Sequence, residues 1–150
     1  MELTPVLDAE KLFGRVLDAM AVGDTQSALA LLERALKQSD NPSWHSYLGY
    51  CIAKERGQVK KGRELCLAAL KLEPESSVHY LNLAKVHMIA GQKSEALHVL
   101  REAMAVGGSE EIVALFRELG ARKPPVLSFL SRDNPLNKGL GMVLSRMGLR

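Results

Sequence analysis

Apolar and small residues recur along the chain with a helical period, and the whole pattern repeats every 34 residues. Apolar positions three and four residues apart predict amphipathic helices. Gly23, Gly57 and Gly91 interrupt these patterns at intervals of 34 residues, where a left-handed glycine would end a helix. The same interval relates three further sets of positions: Ala28, Gly62 and Ala96; Leu32, Cys66 and Leu100; and Ala35, Ala69 and Ala103. A fixed period of this length is typical of a stacked array of helical repeats.

Each repeat is predicted to contain two helices joined by a tight turn. In the third repeat, the apolar or aromatic face of the first helix is marked by Tyr80, Leu83, Ala84 and His87. Small residues such as Gly49 and Gly62 are expected where two helices cross closely, because larger side chains would hold the backbones apart. One more helix is predicted over residues 109–120, with Ser109 as its N-cap, to cover the last repeat.

The composition changes after this helix. Residues 121–150 contain six basic residues and one acidic residue, a net charge of +5, whereas residues 1–120 carry −2. Lys123-Pro124-Pro125 stops a helix, and five apolar residues beyond it predict a short amphipathic helix: Leu136, Leu140, Val143, Leu144 and Met147. We therefore predict a repeat array with a capping helix over residues 6–120. A basic, proline-containing tail follows over residues 121–150, and it is a candidate for self-association through its own groove or a neighbour's.

The composition is that of a globular protein, with 47% apolar and 25% charged residues. No apolar stretch approaches the ~20 residues that span a bilayer. The N-terminus has no basic region followed by an apolar run, so we expect no secretory signal and a cytoplasmic location. Cys51 and Cys66 are expected to be buried free thiols, with a disulfide between them as the alternative.

No pattern of reactive side chains predicts catalysis. The four histidines share no metal-ligating arrangement: His45, His79, His87 and His98. We expect His87 to pack in the core, and His45 and His79 to be partly exposed. No glycine-rich phosphate loop or nucleophile motif is present. We therefore predict that the protein is not an enzyme and has no catalytic residue, no metal site and no cofactor.

The second and third repeats carry the residues of a known pattern. The third has Tyr80, Leu83, Ala84, His87, Ala96 and Leu100, and the second has Leu48, Gly49, Ile52, Gly62, Cys66 and Pro74. These positions resemble the tetratricopeptide repeat (TPR) family, although Trp44 stands one position early and Gly108 replaces the usual proline. The resemblance covers roughly residues 8–110. It implies an all-α fold, a right-handed superhelical array of about three antiparallel helix pairs, with a C-terminal capping helix and an extended tail.

The resemblance also implies a binding surface. Arrays of this family usually bind an extended or helical peptide in a concave groove lined by the first helix of each repeat. The corresponding positions here are Phe13, Leu17 and Met20; Ser46, Tyr47, Tyr50 and Lys54; and Val78, Leu81, Asn82, Lys85 and Ile89. The alternative for Tyr47, Tyr50 and Leu81 is packing between repeats. Only Asn82 and Lys85 are similar to the clamp that chaperone-binding members use for a terminal carboxylate, so we do not expect that clamp.

Three functions are compatible with these features. The favoured one is a non-enzymatic protein–protein interaction module that binds a peptide segment of a partner protein in the groove. The second is a small secretion-type chaperone for a client protein. The third is contact of the basic tail with membrane or nucleic acid. We expect a protein or peptide partner, and neither a small-molecule substrate, nor nucleic acid, nor membrane.

Overall fold

A computed structural model describes residues 4–121 of the chain. All regular structure in this range is helical, without a strand. The helices are α1 (Thr4–Ala21), α2 (Thr25–Gln38), α3 (His45–Arg56), α4 (Val59–Leu72), α5 (Ser77–Ile89), α6 (Lys93–Ala105) and α7 (Glu110–Ala121), with a short 3₁₀ turn at Pro42–Trp44 before α3. The all-α prediction is confirmed.

The first six helices pack as three consecutive pairs. Helix α1 packs on α2, α3 on α4 and α5 on α6, and each pair contacts the next through α2 on α3 and α4 on α5. Helices α3 and α5 also contact each other directly. The three pairs correspond to the three repeats predicted from the 34-residue period.

The same glycine turn closes the first helix of every pair. Gly23, Gly57 and Gly91 have φ values of 78°, 68° and 75°, which place all three in the left-handed region. After α3, Gly57 N–H donates to the carbonyl of Ala53 at 3.1 Å and Gln58 N–H donates to the carbonyl of Ile52 at 3.2 Å. These bonds satisfy carbonyls that have no partner inside the helix. The predicted positions and conformation of the turns are confirmed.

The residues that repeat every 34 positions form the buried face of the second helices. All of them are buried: Ala28, Leu32, Ala35, Gly62, Cys66, Ala69, Ala96, Leu100 and Ala103. Each large buried aliphatic side chain contributes about 1.5–3 kcal/mol relative to an exposed one. The period in the sequence is therefore the period of the core contacts.

Helices α3 and α4 cross with their backbones in contact at two glycines. A Cβ atom added at Gly49 would lie 2.5 Å from the carbonyl oxygen of Gly62, and one added at Gly62 would collide with the carbonyl oxygen of Gly49. Side chains of Ala53, Leu65 and Cys66 close the remaining space. The predicted close crossing is confirmed.

Helix α5 is buried on more sides than the sequence predicted. Leu83 and Ala84 are buried as expected, but Tyr80 and His87 are only half-buried. Leu81 and Val86, on other faces of the helix, are also buried. The reason is that α5 packs against α3, α4 and α6 together. A single apolar face is therefore the wrong description of this helix.

Both cysteines are buried and free, as predicted. Burial raises the pKa of the Cys66 thiol to about 12, and burial also raises the pKa of the Cys51 thiol to about 12. Cys51 Sγ lies 3.8 Å from Met20 Sδ, and Cys66 Sγ donates to the carbonyl of Ser46 at 3.5 Å. The alternative of a disulfide is wrong.

Two compact units divide the chain after Val113. Helices α1–α6 and the first turn of α7 belong to the first unit, and the rest of α7 belongs to the second. Ser109 is the N-cap of α7, because its Oγ accepts from Ile112 N–H at 3.3 Å. The capping role of α7 stays a prediction. Residues 122–150 lie outside the described range, so the predicted tail helix and tail-mediated self-association also stay predictions.

The glycine crossing generates a test of stability. Replacing Gly62 with Ala places a methyl group against the backbone of α3, so we expect the free energy of unfolding to fall by about 1–3 kcal/mol. Gly14 is the matched control, because it also lies inside a helix but a Cβ there would meet no atom within 4 Å. Gly14→Ala should raise stability by about 0.5–1 kcal/mol. Urea denaturation followed by circular dichroism measures both changes. Equal effects of the two substitutions would contradict the crossing.

Candidate functional site

The first unit contains a concave pocket of about 200 Å³. Side chains from α1, α3, α5 and the first turn of α7 line it: Leu17, Met20, Ala21, Tyr47, Val78, Leu81, Asn82, Lys85 and Glu111. Seven of these nine were named as groove positions from the sequence. Ala21 and Glu111 were not. Glu111 was interpreted only as part of a helix start, and no sequence signal connects it with the first helices of the repeats.

Apolar side chains at the rim of the pocket remain open to solvent. Leu17 is 41% exposed and Val78 is 37% exposed, although both are large aliphatic residues on well-packed helices. Met20 is half-buried between them and the core. Ligand sites are typically concave, with mostly apolar walls and a few placed polar groups. This rim has that character.

The polar edge of the pocket is an ion pair held against an aromatic ring. Lys85 Nζ lies 3.2 Å from Glu111 Oε2 and 5.1 Å from the centroid of the Tyr50 ring. Burial, and after it the charge of Glu111, raises the pKa of the Tyr47 phenol. Because the ammonium of Lys85 already has an anionic partner, it is not a free cation for a terminal carboxylate.

Phe13 was predicted to line the groove, but its ring packs between the first two repeats. It stacks on Trp44 with 4.6 Å between ring centroids and meets Tyr47 edge-on at 5.1 Å. Such pairs contribute about 0.5–1.5 kcal/mol beyond the area they bury. Phe13 therefore supports Tyr47, which does line the pocket.

The remaining predicted positions lie outside the pocket lining. Lys54 is exposed near the end of α3, and Ile89 is 39% exposed at the end of α5. Tyr50 contributes through its ring contact with Lys85. The pocket thus collects Leu17, Tyr47, Asn82 and Lys85, and leaves the other four committed positions around it.

Asn82 forms the floor of the pocket and is the first member of a chain of hydrogen bonds. Asn82 Nδ2 donates to Ser46 Oγ at 3.0 Å, and Ser46 Oγ lies 2.7 Å from His79 Nδ1. His79 Nε2 lies 2.6 Å from Glu73 Oε1, and Ser43 Oγ donates to Glu73 Oε2 at 3.0 Å. We call Asn82, Ser46, His79 and Glu73 the buried relay.

The buried relay corrects two sequence-based expectations. His79 was expected to be partly exposed, but it is 2% exposed. Ser46 was a groove position by resemblance, but it is fully buried. The reason in both cases is that α3 and α5 pack directly on each other, so polar residues on their facing sides meet inside the protein.

Glu73 ends the relay near solvent and remains ionised. The hydrogen bond from His79, and after it the one from Ser43, lowers the pKa of the Glu73 carboxyl. An ionised carboxylate can only accept hydrogen bonds. Glu73 therefore receives a proton donor from both neighbours.

Serine, histidine and glutamate in one hydrogen-bonded chain are also the groups of a hydrolase triad. Here the hydroxyl of Ser46 is fully buried and already accepts from Asn82. A nucleophile must reach a substrate carbonyl, and this hydroxyl has no exposed surface. The relay is therefore a structural chain and does not present a nucleophile.

Two searches of residues 4–121 found no further site. No group of three or more His, Cys, Asp or Glu side chains in this range is placed to hold a metal ion. Within the same range, no helix has both the length and the apolar character needed to cross a membrane.

The fold is similar to solved structures of TPR proteins. The Sgt2 TPR domain from Aspergillus fumigatus matches with a TM-score of 0.58 and 20% identity, covering 77% of this chain and 78% of that one. A MamA RS-1 double mutant, ArsTM, matches with a TM-score of 0.54 and 19% identity, covering 94% of this chain and 77% of that one. The fold of the chain is therefore that of a TPR array. No protein-family model matches the sequence, and a search of curated proteins finds no match.

The different positions of two predicted groove residues lead to a second test. Phe13→Ala removes the ring that stacks on Trp44, so we expect the free energy of unfolding to fall by about 2–3 kcal/mol. Leu17→Ala, on the same helix but 41% exposed, should change stability by no more than about 0.5 kcal/mol. Urea denaturation of both variants measures the difference. A larger loss for Leu17→Ala than for Phe13→Ala would refute the division between a packing residue and a rim residue.

Proposed function

We propose that this protein is a non-enzymatic protein–protein interaction module that binds an extended or helical peptide segment of a partner in the pocket lined by α1, α3 and α5. The observation that carries the proposal is a concave apolar rim, Leu17 and Val78, around a buried polar side chain, Asn82. The TPR fold supports it, because helical arrays of this kind present extended concave binding surfaces.

The rim supplies the driving force for binding. A partner's apolar side chain placed against Leu17 and Val78 covers surface that these residues expose to water. Complete burial of one large aliphatic side chain contributes about 1.5–3 kcal/mol. An affinity in the micromolar range needs about 8 kcal/mol after the costs of association, so two or three anchors must act together. Ile89, two turns beyond Asn82 on α5, is placed to extend the apolar rim for a second anchor.

The floor supplies orientation. Asn82 Nδ2 is bonded to Ser46, while within residues 4–121 no hydrogen bond is made to Asn82 Oδ1. A buried amide oxygen without a partner is costly, and a ligand that donates to it removes this cost. Lys85 and Glu111 satisfy each other at the edge, so a partner does not need a free C-terminal carboxylate to bind.

The proposal is tested by selecting binders from a random peptide library displayed on phage against the full-length protein. The affinities of the selected peptides are then measured by fluorescence anisotropy with two variants. Leu17→Asp puts a charge on the rim, so we expect binding to weaken at least about tenfold, or 1.4 kcal/mol. Leu67→Asp is the matched control, because Leu67 is similarly exposed, at 49%, but lies on α4 away from the pocket.

Circular dichroism of both variants checks that the fold is kept. Selected peptides that bind the Leu17 variant as tightly as the unaltered protein would reject the pocket as the binding site. So would peptides whose binding is weakened equally by the two substitutions.

A further inference from the structure

The buried relay connects the floor of the pocket with a carboxylate at the surface. Asn82, Ser46 and His79 are each at most 2% exposed, whereas the side chain of Glu73 is 47% exposed. The members come from three segments: α3, α5 and the link between α4 and α5. Their three contacts of 3.0, 2.7 and 2.6 Å are all within hydrogen-bonding distance.

The chemistry of the groups sets the direction of every hydrogen bond in the relay. The Glu73 carboxylate only accepts, so His79 carries its proton on Nε2. In a neutral imidazole Nδ1 is then an acceptor, and the hydroxyl of Ser46 donates to it. The oxygen of Ser46 has spent its only proton, so it accepts from Asn82. This is the direction in which the Asn82 Nδ2 contact is observed.

The direction of the relay determines which end of the Asn82 amide faces the pocket. If the amide were reversed, its oxygen would meet the oxygen of Ser46, whose proton is directed at His79. Two acceptors would then face each other in a buried environment, which is unfavourable. The relay therefore keeps the NH₂ group on Ser46 and leaves the carbonyl oxygen for the pocket. Within the described residues this oxygen takes no hydrogen bond.

We propose that the relay from Glu73 makes the pocket floor a hydrogen-bond acceptor, so that the pocket selects an extended segment that donates a backbone N–H to Asn82. In the interior of a helix each backbone N–H is bonded to the carbonyl four residues earlier, and only the first turn has free donors. An extended segment keeps its N–H groups available. This inference rests on the proposed function, and it decides between the extended and helical ligands that the proposed function allows.

The first test needs no ligand. Long-range ¹H–¹⁵N correlation spectra of the full-length protein at pH 7.5 report which ring nitrogen of His79 carries hydrogen. We expect the Nε2–H form. An Nδ1–H form, or a doubly protonated ring, would make Nδ1 a donor to Ser46 and would overturn the proposal.

The second test compares two small probes by NMR titration of the full-length protein. N-acetyl-L-leucine methylamide has a leucine side chain and two N–H donors. N-acetyl-N-methyl-L-leucine dimethylamide keeps the side chain and both carbonyls but has no N–H. We expect the first probe to bind at least fivefold more tightly, and to shift the Asn82 side-chain signals and the Leu17 methyl signals. Equal affinities would overturn the role of the relay while the proposed function stands. No shift at Leu17 with either probe would overturn both.

Substitution at the surface end of the relay makes the test specific. Glu73→Leu removes the acceptor of His79, so both ring tautomers become accessible and we expect the preference for the N–H probe to fall towards onefold. Glu73→Gln keeps an acceptor oxygen and should keep the preference. Glu75→Leu is the control, because Glu75 is an exposed carboxylate two residues away that takes part in no relay contact. A Glu73→Leu protein that stays folded and retains the full preference would overturn the proposal.

Discussion

The close crossing of α3 and α4 is the constraint on which the rest of the array depends. At Gly49 and Gly62 each backbone lies where the other residue's Cβ would have to be. This approach places Cys66 Sγ near the Ser46 carbonyl and packs the middle pair tightly enough for α3 to reach α5 as well. The second repeat therefore sets the spacing of its neighbours. Glycine at these two positions is a packing requirement of a backbone contact, since a methyl group at either one has no free volume to enter.

The pocket follows from this spacing and from the aromatic contacts beside it. Phe13 stacks on Trp44 and holds the edge of Tyr47, so the first and second repeats meet through a rigid cluster. Rigid walls matter for binding, because a partner then pays little conformational entropy to organise the site. The exposed rim residues lie on this fixed framework. The ion pair of Lys85 and Glu111 neutralises the edge, which leaves apolar contact and one amide as the means of recognition.

The buried relay is a polar chain in a region that the rest of the fold makes apolar. Buried polar groups are costly unless their hydrogen bonds are made. Here Ser46, His79 and the NH₂ group of Asn82 each have a partner, and the chain ends at a carboxylate that reaches solvent. The hydrogen bonds that lower the pKa of Glu73 are the same ones that orient His79. A surface charge thereby acts on the chemistry of the pocket floor through two residues that no ligand can touch.

The sequence by itself determined the repeat, the turns, the glycine crossing and the burial of both cysteines. These features depend on residues that contact the same neighbour in each repeat, so a strict period of 34 residues reports them directly. The sequence also identified most of the pocket lining, by resemblance. Tertiary structure alone decided the burial of His79 and Ser46, the packing of Phe13 between repeats and the pairing of Lys85 with Glu111. A helical period tells which residues share a face, but not which side chain from another segment that face meets. Ser46 and His79 are 33 residues apart, and Asn82 and Ser46 are 36 apart. Separations close to one repeat bring two polar side chains together only when the packing of α3 on α5 has been formed.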